Sequence, residues 1–464
     1  PSSEFQFYVN GQQVDTTYTD ALVYNLEKPI YIASRDISPE EIKQKIDSAE
    51  KEWLTMFEPM GGPYTEAGQV YSAVQNAVNW LPVYDPDKDR IVTPVSRNWA
   101  YGWGKGEPGG FVLFCWDNFF VSWMHTLESK ELAYNEAIQM CNLIDELGFV
   151  PNYAGPDGRL SHDRSQPPVG GMAIKKIYEM HQEKWFLEYN FDKLLTWNRW
   201  WDENRNNDGL LTWGSSPYFE NGKKIIKGAK GASYESGLDN TPMYDGVEFD
   251  TTKNLLKIQD VGLTGLYVMD CEALAYMARE LGQEDAYQEL AGRAEKYKKA
   301  MQALWDDNFG LFLNRHTDGK QLSKRISPTN FYALNAKAAT QEQAERMMKE
   351  HFYNPEEFWG DYIMPSIARN DTAYTAETYW RGSIWAPMNL LVYWGMQNYE
   401  LPQAKDDLSE KSKDLLLKNW LEKGWVRENY HAETGSYNKR SEHFYHWGAL
   451  LGMIYLVENG YVEK

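Results

Sequence analysis

Two neighbouring segments of opposite character constrain this chain most. Residues 263–281 are apolar on most faces, whereas 285–305 carry apolar residues on one face and charges elsewhere. A helix apolar all round has to be buried, and an amphipathic one has to lie over it. Helical spacing of this kind recurs along most of the chain. The first instance opens at Ser38-Pro39-Glu40-Glu41, a capping box with Pro at the first helical position, and sets Ile42, Ile46, Ala49, Trp53 and Met56 on one face. Similar patterns run over about 64–81, 115–128, 130–147, 168–185, 187–203, 262–281, 285–305, 328–337, 341–353, 378–398, 402–423 and 443–458. Thr340 and Gln343 form a second capping box, and Gly282 is placed to stop the helix before it. Inner and outer helices in alternation predict an all-α fold, a closed (α/α)6 toroid of helix pairs. An α-solenoid would need a fixed repeat of roughly 34 to 45 residues, and there is none.

The start of the chain reads differently. Phe5, Phe7 and Val9 alternate before Asn10-Gly11, and "KPIYIAS" adds a later apolar run, so residues 1–36 form a β segment. An isolated hairpin is marginal in water, and these strands are expected to be the remnant of an N-terminal β domain, with 37–464 as the helical domain. At 464 residues, two domains or one large closed architecture is expected.

Composition narrows the partners. A formal charge of -20 and the lack of any clustered Lys/Arg run exclude nucleic acid and anionic membranes. No run of about 18 apolar residues is present to span a bilayer. Cys115, Cys141 and Cys271 each lie in apolar surroundings and read as buried free thiols. The chain starts at Pro1, so any leader is expected to be gone already. Nothing in the composition chooses between a periplasmic or secreted protein and a cytoplasmic one, or sets an oligomeric state. Aromatics are abundant: 19 Trp, 31 Tyr and 18 Phe make 15% of the chain. Most serve a core, but such rings also line clefts that bind sugars.

Some motifs are decoys. "GKGEPG" at 104–109 matches G-x-G-x-x-G, but no strand precedes it and Pro108 interrupts, so it is no dinucleotide site. His443 and His446 lack a third ligand and read as polar packing. "NRNNDGLL" holds Asn204, Asn206 and Asp208 at alternate positions, with the Leu210 carbonyl as a fourth oxygen. This resembles half of a calcium loop, and equally a hydrogen-bonded Asx turn.

The chemistry lies in five stretches that mix acids, Arg and Trp: "FCWDNFF" (114–120), "HDRSQPP" (162–168), "ESGLDNTPMYD" (235–245), "TYWRGSIWAPMN" (378–389) and "VRENYHAETGSYN" (426–438). They fall near helix ends, so in a toroid they would converge on one mouth. "ESG-x-D", "YWRG-x-IW" and the late "EN-Y", in this order, resemble glycoside hydrolase family 63, with trehalases as more distant relatives. The resemblance runs from about residue 60 to the end. It implies an inverting α-glycosidase, with 37–464 as an (α/α)6 catalytic domain. Asp239 is then the general acid and Glu428 the general base. Trp116, Asp117, Arg164, Gln166, Glu235, Trp380 and Arg381 line the sugar pocket. The asparagine-rich loop becomes a structural Ca2+ site, and no cofactor serves the chemistry.

Such hydrolysis needs one protonated carboxyl for the leaving oxygen and one ionised carboxylate to activate water from the opposite face. Glu235 and Asp245 rival Asp239, and Glu433 and Glu442 rival Glu428. Related mannosyl- and glucosyl-glycerate hydrolases carry "DNSPRW", whereas this chain has "DNTPMY", with Met243 in place of an Arg that could meet an acidic aglycone. The expected activity is therefore an exo-acting α-glucosidase on gluco-oligosaccharides or glucosylated conjugates. The alternatives are a mannosyl- or glucosyl-glycerate hydrolase and a non-catalytic carbohydrate-binding protein.

Overall fold

Helices form where apolar spacing is helical and end at glycine or at residues that cap their own turns. The structure, a computed structural model, describes residues 7–14, 29–96, 111–156, 158–437 and 441–462. Among these are thirteen α-helices, and every strand is two or three residues long. The helices are α1 (Pro39–Met56), α2 (Glu66–Asn79), α3 (Cys115–His125), α4 (Lys130–Cys141), α5 (Gly170–His181), α6 (Lys184–Arg205), α7 (Gly228–Glu235), α8 (Val261–Leu281), α9 (Glu284–Met301), α10 (Gln341–Met347), α11 (Ala386–Met396), α12 (Pro402–Lys423) and α13 (Leu450–Glu458). The "GKGEPG" motif and Phe5 lie outside the described residues. No described helix is long and apolar enough to cross a membrane.

The chain divides into two compact units, Pro1–Gln69 and Val70–Lys464. In the first, Phe7–Val9 pairs with Gln12–Val14 across the Asn10-Gly11 turn and with Ile32–Ala33. Ser38 caps α1 by accepting from the Glu41 N–H at 3.1 Å. The apolar face expected of α1 is real but uncovered: the helix buries no residue, and Ile46 and Trp53 are 54% and 40% exposed. Periodicity dictates a face, not what lies on it.

In the second unit α8 and α9 have the burial that their sequences predict. Sixteen of the residues of α8 are buried, from Val261 to Ala278, while α9 buries only Ala286, Leu290, Ala294, Tyr297 and Met301 along one stripe. α8 packs on α9, α5 and α6; α3 packs on α4 and α5; α13 packs on α11 and α12. Asp260 caps α8 through the Leu263 N–H at 2.8 Å, and Gly282 ends it at φ +72°. Both arms of the Thr340/Gln343 capping box are formed. The three cysteines are free and buried.

Several expected helices differ. Residues 328–337 are a 3₁₀ turn, Pro328–Leu334, set by a Ser327/Asn330 capping box. The 341–353 pattern keeps its α-helix only to Met347 and continues as π-helix over Met348–Phe352. The 378–398 pattern begins as a 3₁₀ turn at Tyr379–Arg381, breaks at Gly382 and runs extended through Ile384, which bridges to Tyr430. α11 starts only at Ala386-Pro387. Helix α7, "GAKGASYE", has too little apolar spacing and too much glycine to be read from sequence. Two of these departures, α7 and residues 378–385, fall at the functional stretches, where long-range pairing overrides local preference.

Candidate active site

Hydrogen bonds tie the five acid-rich stretches together one to the next. At the start of α3, the Trp116 N–H donates to Gln166 Oε1 at 3.1 Å, and the Cys115 N–H donates to the Asn152 carbonyl at 3.0 Å. The Ser165 N–H donates to Glu235 Oε1 at 3.0 Å, which joins the second stretch to the third. The Trp380 N–H donates to Asn240 Oδ1 at 2.9 Å, joining the third to the fourth. Ile384 and Tyr430 exchange backbone bonds at 2.8 and 3.0 Å, joining the fourth to the fifth. The circuit closes where the Tyr445 hydroxyl donates to Asp117 Oδ1 at 2.9 Å, after "RENY" has paired with residues 441–444.

Aromatic rings line the assembled site. Trp380 and Trp385 stack at 3.6 Å and 8°; Trp447 stands edge-on to both and to Trp116, at 5.4 to 6.0 Å. Trp116 lies 6.3 Å from Trp380, and its buried Nε1 has no hydrogen-bond partner among the described residues. Gly237, at φ +73°, explains the glycine of "ESGLD": a Cβ there would meet the Trp116 ring at 2.7 Å. Only glycine lets the turn pass beneath that ring and deliver Asp239.

Asp239 combines two properties. Its side chain is accessible, yet surrounding protein desolvates it enough to raise its pKa to about 6, with Arg164 pulling the other way. Its carboxyl accepts no hydrogen bond from the described residues. Asp117 and Glu428 are buried. Burial pushes Asp117 up to about 8; the Tyr445 hydroxyl and its own N–H oppose this, and Asp239 adds to it. Burial also pushes Glu428 up to about 8, opposed by the Glu442 N–H and the Tyr379 hydroxyl and reinforced by Glu442 and Asp117. Asp117 thus feels Asp239 and acts on Glu428. A cluster of enclosed carboxyls whose neighbours move their protonation is where acid–base chemistry is expected.

The rivals are engaged elsewhere. Glu235, expected on the sugar-facing side, is 0% exposed; Arg205 grips both its oxygens at 2.6 Å, and the Ser165 and Gly214 N–H groups donate at 3.0 and 2.7 Å. Four donors fill the acceptor sites of a carboxylate, so Glu235 holds the loops together and has no oxygen for a ligand. Asp245 pairs with Arg381 at 2.8 Å and Arg325 at 3.6 Å. Glu433 pairs with Arg369 at 3.2 Å and stands 52% exposed. Glu442 offers Glu428 its backbone N–H at 3.3 Å. Arg164 is buried against Asp163 at 2.8 Å and lies over the rings of Tyr153 and Tyr234.

The asparagine-rich loop forms a hairpin, Asn206–Asn207 with Leu210–Leu211. Asn206 Oδ1 accepts from the Gly209 N–H at 2.9 Å, its amide donates to Tyr297 at 2.7 Å, and the Asn204 amide donates to the Trp200 carbonyl at 2.9 Å. Asp208, at φ +58°, is 72% exposed and 3.6 Å from Lys253. This is the hydrogen-bonding of an Asx turn, and no cluster of three or more His, Cys, Asp or Glu able to hold a metal occurs among the described residues. His443 Nδ1 meets Arg427 at 2.9 Å, while His446 is wholly buried, and burial lowers its pKa to about 3.

Residues 112–447 match the family described as the mannosylglycerate hydrolase MGH1-like glycoside hydrolase domain. This chain belongs to that family. A curated relative, the mannosylglycerate hydrolase of Thermus thermophilus, is 23% identical over 415 residues, covering 73% of this chain and 93% of its own. A probable mannosyl-oligosaccharide glucosidase of Schizosaccharomyces pombe is 25% identical over 293 residues, 57% of this chain and 34% of that one. Among solved structures, a GH63 mannosylglycerate hydrolase of Thermus thermophilus in complex with glucose matches with a TM-score of 0.67 at 18% identity, covering 83% of this chain and 99% of that one. The shared fold and the family make the chain a glycoside hydrolase.

Within this MGH1-like site, sequence reasoning missed Tyr379, Tyr445 and Arg205, which hold Glu428, Asp117 and Glu235 respectively. Tyr379 lies within the stretch "TYWRGSIWAPMN" already singled out, whereas Tyr445 lies beyond the last stretch, which ends at 438. A tyrosine's hydroxyl gains meaning only from the carboxylate it meets, hundreds of residues away in the case of Tyr445.

Proposed function

We propose that the protein is an inverting α-glycoside hydrolase of the mannosyl- or glucosyl-glycerate type, with its helices closed into an (α/α)6 toroid. The expectation of an α-glucosidase yields to this alternative because mannosylglycerate hydrolases are prominent among the relatives that span most of the chain. The observation that carries the reading is Asp239, solvent-open yet raised to about 6, in one linked assembly with the buried Glu428 and Asp117 beneath four tryptophans. In this reading Asp239 protonates the leaving oxygen and Glu428 takes the proton from the attacking water. Asp117 and Trp116 hold the sugar at the cleaved end, and Arg164, Gln166, Trp380 and Arg381 complete the pocket.

A neutral aglycone is the second reading, favoured by one feature. Met243 is buried where relatives carry Arg, and Arg381 and Arg325 are already paired with Asp245. Release of monosaccharide from mannosylglycerate and glucosylglycerate, set beside α-1,2, α-1,3, α-1,4 and α-1,6 gluco-disaccharides, separates the two. Turnover of the glycerates supports the first, turnover of the disaccharides alone the second, and no release from any of them removes both. A structural Ca2+ on Asn204, Asn206, Asp208 and Leu210 remains a proposal, and elemental analysis with a melting curve in excess chelator tests it.

A further inference from the structure

A base buried among acids needs donors that favour its charged form. From the elements packed around it, Glu428 faces Asp117 at the start of α3, Tyr445 and Glu442 ahead of α13, and Tyr379 on the 3₁₀ turn of "YWRG". No Lys, Arg or His forms an ion pair with it among the described residues. Two donors reach its carboxylate: the Glu442 N–H at 3.3 Å on Oε2, and the Tyr379 hydroxyl at 3.0 Å on Oε1. Among the described residues the tyrosine is therefore the one side chain that donates to it.

Tyr379 is also held at a cost. Its φ is +51°, a left-handed conformation that bulky residues rarely adopt and that persists only where surrounding structure enforces it. The enforcement is visible. Its carbonyl accepts from the Ser383 N–H at 3.2 Å and from Trp385 Nε1 at 3.1 Å, and its ring stands edge-on to Trp385 at 4.8 Å. Trp385 is itself immobilised by its stack on Trp380. Packing alone would be served by a relaxed residue; the strained backbone aims one hydroxyl.

We propose that Tyr379 is the positioning residue of the base: its hydroxyl orients the Glu428 carboxylate towards the attacking water and favours its charged form. This rests on the reading of Glu428 as general base. The hydrogen bond favours the charged carboxylate, so its loss raises the pKa of Glu428. Burial already places that carboxyl near 8 with the bond in place.

The test uses the full chain on the best substrate of the glycoside panel, with Tyr379→Phe and Glu428→Gln side by side. Tyr379→Phe keeps the ring against Trp385 and deletes only the donor. One limb of the kcat–pH profile should move up by about one unit while the other stays, as expected for a hydrogen bond to a charged group. At neutral pH kcat should fall about tenfold with KM held within about twofold. An unmoved profile, or a raised KM at unchanged kcat, overturns the proposal. If Tyr379→Phe fails to fold, 3,5-difluorotyrosine at position 379, a stronger donor of the same shape, should move the same limb down, and an unmoved limb again overturns it. Glu428→Gln should be inactive. Near-normal turnover there removes the base and the proposal together, whereas an inactive Glu428→Gln beside an unshifted Tyr379→Phe removes only the positioning role.

Discussion

Asp239 and Glu235 are four residues apart and chemically alike, yet their surroundings separate them. Glu235 is surrounded by donors that occupy both its oxygens, whereas Asp239 receives none from the described residues and is raised towards neutrality by enclosure. A general acid has to hold a proton until the leaving oxygen takes it, and of the two only Asp239 is placed to do so. Asp239→Asn should thus lower turnover of natural glycosides by about 10²–10⁴-fold while sparing glycosyl fluorides or dinitrophenyl glycosides, whose leaving groups need no proton. Equal losses on both kinds of substrate would move the acid role away from Asp239.

At the scale of elements, the site is held by a buried ion pair whose groups are engaged with protein. α6 ends at Arg205, α7 ends at Glu235, and the bidentate pair between them fastens both ends to Ser165 and Gly214. Removing one partner of a buried ion pair strands the other charge, at a cost of about 3–5 kcal/mol. Arg205→Met should lower stability by that order, read as a lower urea midpoint, while Arg205→Met with Glu235→Leu should recover part of the loss. A double variant no more stable than the single one would show that Arg205 acts through something other than Glu235. Here the sequence was legible in part. The spacing of apolar residues located α6, α8, α9 and α12 closely, because burial of one stripe or of all faces depends on local periodicity. It missed α7, which has two glycines and little apolar spacing, and it ran a helix through 378–385, because the 3₁₀ turn and the Ile384–Tyr430 bridge there are settled by distant partners.

At the scale of the whole molecule, the two proposed catalytic carboxyls come from positions nearly two hundred residues apart and are brought together by the linked stretches. If they act from opposite faces of the sugar, an α-glycoside must first release the β-anomer, whereas a retaining pair would stand only about 5–5.5 Å apart and give the α-anomer. NMR of the nascent product, recorded before mutarotation, reads this directly, and an initial α-anomer would discard the inverting mechanism. Sequence alone determined the helical character, the buried thiols, the family and the short motifs in which Asp239, Glu428, Trp116 and Trp380 stand. These follow from local periodicity and from residue types at short spacing. The tertiary structure decided which acids are occupied and which are open, that the apolar face of α1 is uncovered, and that two tyrosine hydroxyls answer to Asp117 and Glu428. A carboxyl's charge and a face's burial are set by the groups that fold around them, and those groups come from other elements of the chain.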